Sequence, residues 1–231
     1  MIRTLQPELL DTLPAHDASA IGSRRDLRRL NNLMGHARVI ARSLKKIFPK
    51  SPPSHILEIG AGDGHLLLRV AKGSPATWRN IDVTFVDLQN ILIDDTKTEF
   101  AALNWHVHSI QADIFEWLGD PSTKTDVVLA NLVLHHFTDA QLTLLFSEMA
   151  EKTNAFIAVE PHRSRWPLFC ASSLALIGCN AVTRHDAPIS VRAGFTGREL
   201  SALWPRSDEW ELTEHRAGLF SHLFVARRKG G

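Results

Sequence analysis

The stretch "HILEIGAGDGHLLLRV", His55 to Val70, decides how this chain reads. Three glycines stand at every second position, Gly60, Gly62 and Gly64, and Glu58 lies two residues before the first. Glycine weakens both strands and helices. Its clustering marks backbone that turns tightly or comes close to another group. "HILEIG" has the short apolar run of a strand, and "DGHLLLRVAKG" reads as a helix. Strand, glycine turn and helix form the opening unit of an open α/β sheet, whose ligands bind outside the carboxyl ends of the strands. The glycines do not form a dinucleotide fingerprint. That pattern needs a glycine at 65, where His65 stands. The observed form is E-x-G-x-G-x-G. A carboxylate before the turn repels a pyrophosphate and suits a ligand that carries an ammonium group.

Working outward, the same alternation continues. "DVTFVD", "WHVHSIQAD", "TDVVLAN" and "AFIAVEP" read as strands, with helical patterns between them over "LQNILIDDTKTEFAAL", "IFEWL" and "DAQLTLLFSEMAEK". Near-continuous apolar strands alternating with amphipathic helices predict a mostly parallel sheet covered on both faces. Upstream, apolar residues from Leu27 to Phe48 follow helical spacing, with Ser23 and Asp26 in a capping arrangement and "PKSPPS" as the stop. The first twenty or so residues read as a loose arm. Downstream, "SRWPLFCASSLALIGC" reads as a helix, and "TRHDAPISVRAGF" as a segment outside the core. "FTGRELSALW" reads as a short helix with a Thr196–Glu199 capping box, and "WELTEHRAG" with "SHLFVARRK" as an antiparallel pair.

The 231 residues suit one domain, and 44% hydrophobic with 22% charged residues is an ordinary globular balance. A formal net charge of +1 argues against a dedicated nucleic-acid binder. Cys170 and Cys179 form neither a disulfide framework nor a zinc spacing, and no secretory leader is recognisable, so a cytoplasmic setting is expected. The longest apolar run, Pro167 to Cys179, is too short to span a membrane.

Over roughly Ser54 to Pro161 the chain resembles class I methyltransferases that use S-adenosylmethionine. In that family the glycine loop holds the amino-acid end of the cofactor, which implies binding by Glu58, Gly60, Ala61 and Gly62. "TFVDL" places Asp87 and Leu88 where the family bonds the ribose hydroxyls. "IQADIF" places Asp113 and Ile114 at the adenine. "DVVLANLVLHHF" supplies Asn131 and the loop under the methionine part. Its "VLHHF" is similar to small-molecule methyltransferases related to ubiquinone and menaquinone biosynthesis enzymes. "NLVL" stands where base-methylating relatives carry N-P-P-Y. The resemblance implies a Rossmann-like α/β fold with seven strands, six parallel and the last antiparallel, and helices on both faces. It also implies S-adenosylhomocysteine as product and no metal. Residues 1–50 are expected to form an arm and helical lid. Residues 51–231 are expected to form the methyltransferase domain, with an acceptor-side insertion around 162–196.

The implied activity is methyl transfer to a small molecule, with a phenolic or polyketide-like hydroxyl first. Carbon methylation of such a ring, or a non-catalytic cofactor-binding protein, stands as the alternative. An imidazole near neutrality can take a hydroxyl proton, so His135 and His136 are the first candidate bases and His185, beside Asp186, the second. Each has a plainer reading as a loop-shaping or surface residue. Asp113 has one as a helix cap, and Glu160, at the same rim, reads either as an acceptor-binding residue or as a fold-stabilising ion pair. His106 and His108 lack partners for a zinc site. The apolar helix from Pro167, with Trp166 and Phe169, is a candidate acceptor wall or a homodimer contact.

Overall fold

The computed structural model describes residues 1–118 and 124–230. The chain opens with helices α1 (Leu9–Thr12), α2 (Ala18–Met34) and α3 (His36–Ile47). The alternating core follows: β1 (His55–Ile59), α4 (His65–Lys72), β2 (Ile81–Asp87), α5 (Asp94–Ala102), β3 (Trp105–Gln111), α6 (Ile114–Trp117), β4 (Thr125–Asn131), a 3-10 turn at Leu134–His136, α7 (Asp139–Lys152) and β5 (Thr153–Pro161). After it come α8 (Arg165–Ser172), a second 3-10 turn at Leu174–Ile177, α9 (Ala181–Ala193), α10 (Glu199–Leu203), β6 (Trp210–Ala217) and β7 (Ser221–Arg228).

The seven strands form one sheet in the order β3-β2-β1-β4-β5-β7-β6. The first five pair in parallel, and β7 is antiparallel to both β5 and β6. Six strands therefore run one way and β7 alone is reversed, as expected. Alternate residues of the central strands feed opposite faces. Val128, Ala130, Phe156 and Ala158 join α7 on one side, and Val127, Leu129, Ala155 and Ile157 join α3 and α4 on the other. Both sets are fully buried, which is why β4 and β5 read as unbroken apolar runs. The strand order reverses between β1 and β4, and the glycine turn leaves β1 at that point. No described helix is long and apolar enough to cross a membrane.

Five local expectations are corrected. The upstream helix is two helices, broken at Gly35, whose φ of 74° ends α2 in a left-handed cap. Its N-cap is Asp17, which accepts from Ser19 N and Ala20 N, whereas Ser23 is buried and hydrogen-bonded to Thr183. α5 begins only at Asp94, so residues 88–93 are free to line a cavity. The segment read as lying outside the core is α9. Asn180 caps it by accepting from Thr183 N, and burial of Val182, Ile189 and Val191 outweighs the bond that Pro188 removes. The N-terminal arm is tied down as well. Leu9 N and Leu10 N donate to the Asp186 carboxylate at 2.9 and 3.0 Å, and Arg3 bonds Phe137 O, Ala193 O and Asp139.

Candidate functional site

β1 delivers Glu58 to the sheet's carboxyl edge, and the chain then turns through Gly60 and Gly62, with φ of 65° and 57°. A Cβ on Gly60 would stand 2.6 Å from Val133, so this position has no room for a side chain. A Cβ on Gly62 would meet nothing within 4 Å, so this side of its backbone faces open space. Asp87, at the end of β2, holds the loop in place. Its Oδ2 accepts from Gly62 N at 2.8 Å and its Oδ1 from Gln89 N at 2.9 Å.

Glu58 is 2% exposed, and its Oε2 has no hydrogen-bond partner. Burial, with Asp63 and Asp87 adding negative charge, pushes its carboxyl well above the usual carboxylate range. A buried acceptor without a donor costs free energy, and a cation placed beside it would relieve that cost. Glu58 lines a cavity of about 150 Å³ with Gly60, Ala61, Gly62 and Asn131. This recess shares Arg24, Leu27, Gly60, Gly62 and Leu132 with a larger chamber of about 710 Å³. Asp87, Leu88, Asp113 and Ile114 line the chamber beside the loop, and Leu27, Leu30, Met34, Phe169 and Leu174 form apolar wall elsewhere. All nine residues expected at a cofactor thus meet around two adjoining cavities. Asp113 also caps α6, accepting from Phe115 N at 2.8 Å. Asn131 Oδ1 accepts from His36 Nδ1 at 2.8 Å, and His36 Nε2 takes the Ser221 hydroxyl at 2.8 Å. Burial lowers the His36 pKa to about 4, so this ring is neutral and locks α3 to the ends of β4 and β7. Next to Asn131, Leu132 sits at φ 54°, a left-handed conformation rarely adopted by a branched residue and one that sequence does not reveal.

The three expected bases part company. His185 does not line either cavity. It is about half exposed and pairs with Asp186, whose carboxylate is occupied in holding α1. His135 and His136 do line the chamber. His135 is 3% exposed, with Nδ1 2.7 Å from Glu160 Oε2 and Nε2 3.4 Å from Glu8 Oε1. Burial alone would lower its pKa, but pairing with Glu160 and Glu8 raises it to about 9. With a carboxylate facing each nitrogen the ring holds a proton at neutral pH, so it is not the free base the sequence suggested. Glu160 spends its other oxygen on Val133 N and Leu134 N, at 3.0 and 2.9 Å, and is the buried structural ion pair of the plainer reading. His136 is partly exposed, with Nδ1 3.2 Å from Asp11 Oδ2. Trp166, expected on the acceptor wall, is 54% exposed and stacks on Phe169, which does line the chamber.

Glu8 and Asp11 were not expected at the chamber. Both line the chamber, although they belong to the segment that read as a loose arm. Among the described residues, Glu8, His135 and His136 bring three potential metal-ligand atoms within 4.8 Å of one another. No metal site was expected from the sequence, where Glu8 carries no spacing signal toward the histidine pair.

Residues 56–154 match the family model described as Methyltransferase domain. No curated protein matches the sequence closely enough to count as a relative. Among solved structures, the plantazolicin methyltransferase BpumL, in complex with a triazolic desmethylPZN analog and SAH, is 15% identical with a TM-score of 0.67; the match covers 95% of this chain and 93% of that one. Magnesium protoporphyrin IX methyltransferase from Synechocystis PCC 6803, with bound SAM, is 12% identical with a TM-score of 0.57, covering 93% and 88%. A protein from Nostoc punctiforme, provisionally assigned as an O-methyltransferase, is 17% identical with a TM-score of 0.58. There the match covers 85% of this chain but only 56% of the other, so this chain spans about half of that protein's length. Residues 56–154 are a methyltransferase domain, and the chain around them has the class I fold of S-adenosylmethionine-dependent methyltransferases.

Proposed function

We propose that this chain transfers a methyl group from S-adenosylmethionine to an oxygen of a small, largely apolar acceptor of aromatic or polyketide-like character. One observation carries the reading: a buried, unpartnered carboxylate, Glu58, stands behind a glycine loop whose bare backbone opens onto an apolar chamber. Glu58 takes the ammonium group of the cofactor's amino-acid end, and Gly60, Ala61 and Gly62 give that end room. Asp87 keeps lone pairs for the ribose hydroxyls while it holds the loop. Asp113 and Ile114 flank the adenine, and Leu88 covers it. Asn131, oriented by His36, positions the cofactor's methionine part.

The sulfonium of the bound cofactor supplies an already activated methyl group. The protein's work is then to align the acceptor with it and keep water out. The lid is α2 with α8 and the N-terminal segment, whose apolar residues close the chamber against solvent. The acceptor's oxygen lies at the His135–His136 corner, where Glu8, Asp11, His135 and His136 are among the polar side chains that interrupt the apolar wall. A charged polymer has little to hold in so apolar a chamber.

The test is calorimetric binding of S-adenosylhomocysteine to wild type, Gly62→Ala and Gly218→Ala, followed by transfer of labelled methyl into small molecules of a cell extract. Gly62 and Gly218 share a positive φ and open space, so both substitutions carry about 1–2 kcal/mol of backbone strain. Only the one in the recess should abolish binding. Equal binding by the folded Gly62→Ala protein, or none by wild type, would refute the reading.

A further inference from the structure

We propose that Glu8, His135 and His136 form a binding site for a divalent transition-metal ion, with an open coordination position that takes an oxygen of the acceptor. The metal site stands on these side chains alone; only the assignment of its open position rests on the methyl-transfer reading.

The geometry is that of a ligand set. Two atoms that each lie about 2.1 Å from one tetrahedral ion stand about 3.4 Å apart. His135 Nε2 and Glu8 Oε1 are 3.4 Å apart. A ring nitrogen of His136 completes a triangle within 4.8 Å, and the two imidazoles lie close, with centroids 4.2 Å apart. His135 Nε2 is buried, faces Glu8 Oε1 and makes no hydrogen bond, and a metal binding there would displace any proton it carries to solvent.

The surroundings are those of a supported site. A metal-ligating histidine characteristically donates its other N–H to a carboxylate, which fixes the ring and raises its basicity. Glu160 does this at His135 Nδ1, 2.7 Å away, and is itself fully buried and held by two backbone amides. Asp11 holds the second ring at Nδ1 of His136. Ser190 donates its hydroxyl to Glu8 Oε1 and so orients the carboxylate ligand. The strand end, the N-terminal segment and α9 thus converge on one point.

Two imidazoles and one carboxylate select zinc, iron, cobalt or nickel over magnesium and calcium, which prefer all-oxygen shells. Three protein ligands leave at least one position open, and the residues around it line the apolar chamber. An acceptor hydroxyl bound there would have its pKa lowered, as bound water does. Its O–H bond breaks, the proton passes to solvent, and the oxygen keeps the electron pair for attack on the methyl carbon. This supplies a deprotonation at a place where His135 would be a ligand and which His185, off both cavities, does not reach.

The test uses the full-length chain, stripped of metal by chelator and titrated with Co²⁺ and Zn²⁺ in the absence of cofactor and acceptor. One equivalent should bind, with visible cobalt bands of low coordination number. Glu8→Gln and His136→Gln, checked for folding by circular dichroism, should weaken binding by at least about tenfold, and His106→Gln should leave it unchanged. X-ray absorption at the cobalt edge of wild type reads the ligands without any substitution, and should show two imidazoles with oxygen donors. Absence of stoichiometric binding, wild-type affinity in both variants, or an all-oxygen shell would each overturn the proposal. Binding of S-adenosylhomocysteine to the same samples reads the methyl-transfer proposal separately, since the glycine-loop recess contains none of the three ligands.

Discussion

Two buried glutamates at the same edge of the sheet have opposite fates. Glu58, in β1, is 2% exposed and leaves an oxygen without a partner. Glu160, at the end of β5, is 0% exposed and bonds two backbone amides and an imidazole. Desolvating a carboxylate costs several kcal/mol unless hydrogen bonds or charge compensate. At Glu160 the fold itself supplies that compensation, so the residue is scaffold. At Glu58 the fold withholds it, and the proposed function takes the unsatisfied group as the place for a cationic ligand. Burial and side-chain type are shared by the two, and what separates them is the count of donors nearby.

Breaking the scaffold side should have the largest effect. Glu160→Ala strands Val133 N, Leu134 N and the His135 ring together, and should cost about 3–5 kcal/mol of stability, read from urea midpoints. A loss below about 1 kcal/mol would mean that Glu160 is as dispensable to the fold as Glu58.

His36 sharpens the same side through pH. Its folded pKa is lowered to about 4 by burial, against about 6.5 when unfolded. On acidification the unfolded chain takes up the proton first. The contribution of His36 is therefore complete above about pH 6.5 and is lost as pH falls toward 4, on the order of 3 kcal/mol in all. Melts of wild type and His36→Gln across that window should show a shallower slope for the variant; parallel curves would remove His36 from the account.

The ligand side should respond in the opposite sense. Glu58→Gln removes no hydrogen bond made within the fold at Oε2, so stability should stay within about 1 kcal/mol or rise. Affinity for S-adenosylhomocysteine should nonetheless fall by about 1–3 kcal/mol, the scale of a charged hydrogen bond. A large stability loss with unchanged affinity would exchange the roles of the two glutamates.

The smallest effect belongs to His185→Ala. The ring is half exposed and lines neither cavity, so stability should move by less than about 0.5 kcal/mol and methyl transfer should be unchanged. A marked fall in turnover with intact cofactor binding would restore it as a candidate base.

The cofactor half was legible because its signals are local. A strand, its turn and the next helix lie in one stretch of chain, so Glu58 and the glycines announce themselves together, and Asp87 follows at the next strand end. The other side of the chamber, formed with the N-terminal segment and α9, was not legible in this way. "TRHDAPISVRAGF" contains a proline and charged residues, which locally argue against a buried helix, yet α9 forms because its apolar residues find a surface to bury against. The arm is polar and aperiodic, yet Asp186 and the carbonyls that receive Arg3 hold it in place.

By itself, then, the sequence determined the alternating α/β core, the antiparallel pairing of its last two strands and nine residues, expected at a cofactor, that line the two adjoining cavities. All of these follow from short-range patterning and from residues close to strand ends. Tertiary structure alone decided which buried carboxylate is left unpaired, that His185 stands off the cavities, and that Glu8 meets His135 and His136. Those outcomes depend on which distant segments pack against one another and how many donors each brings, and no local pattern along the chain encodes that count.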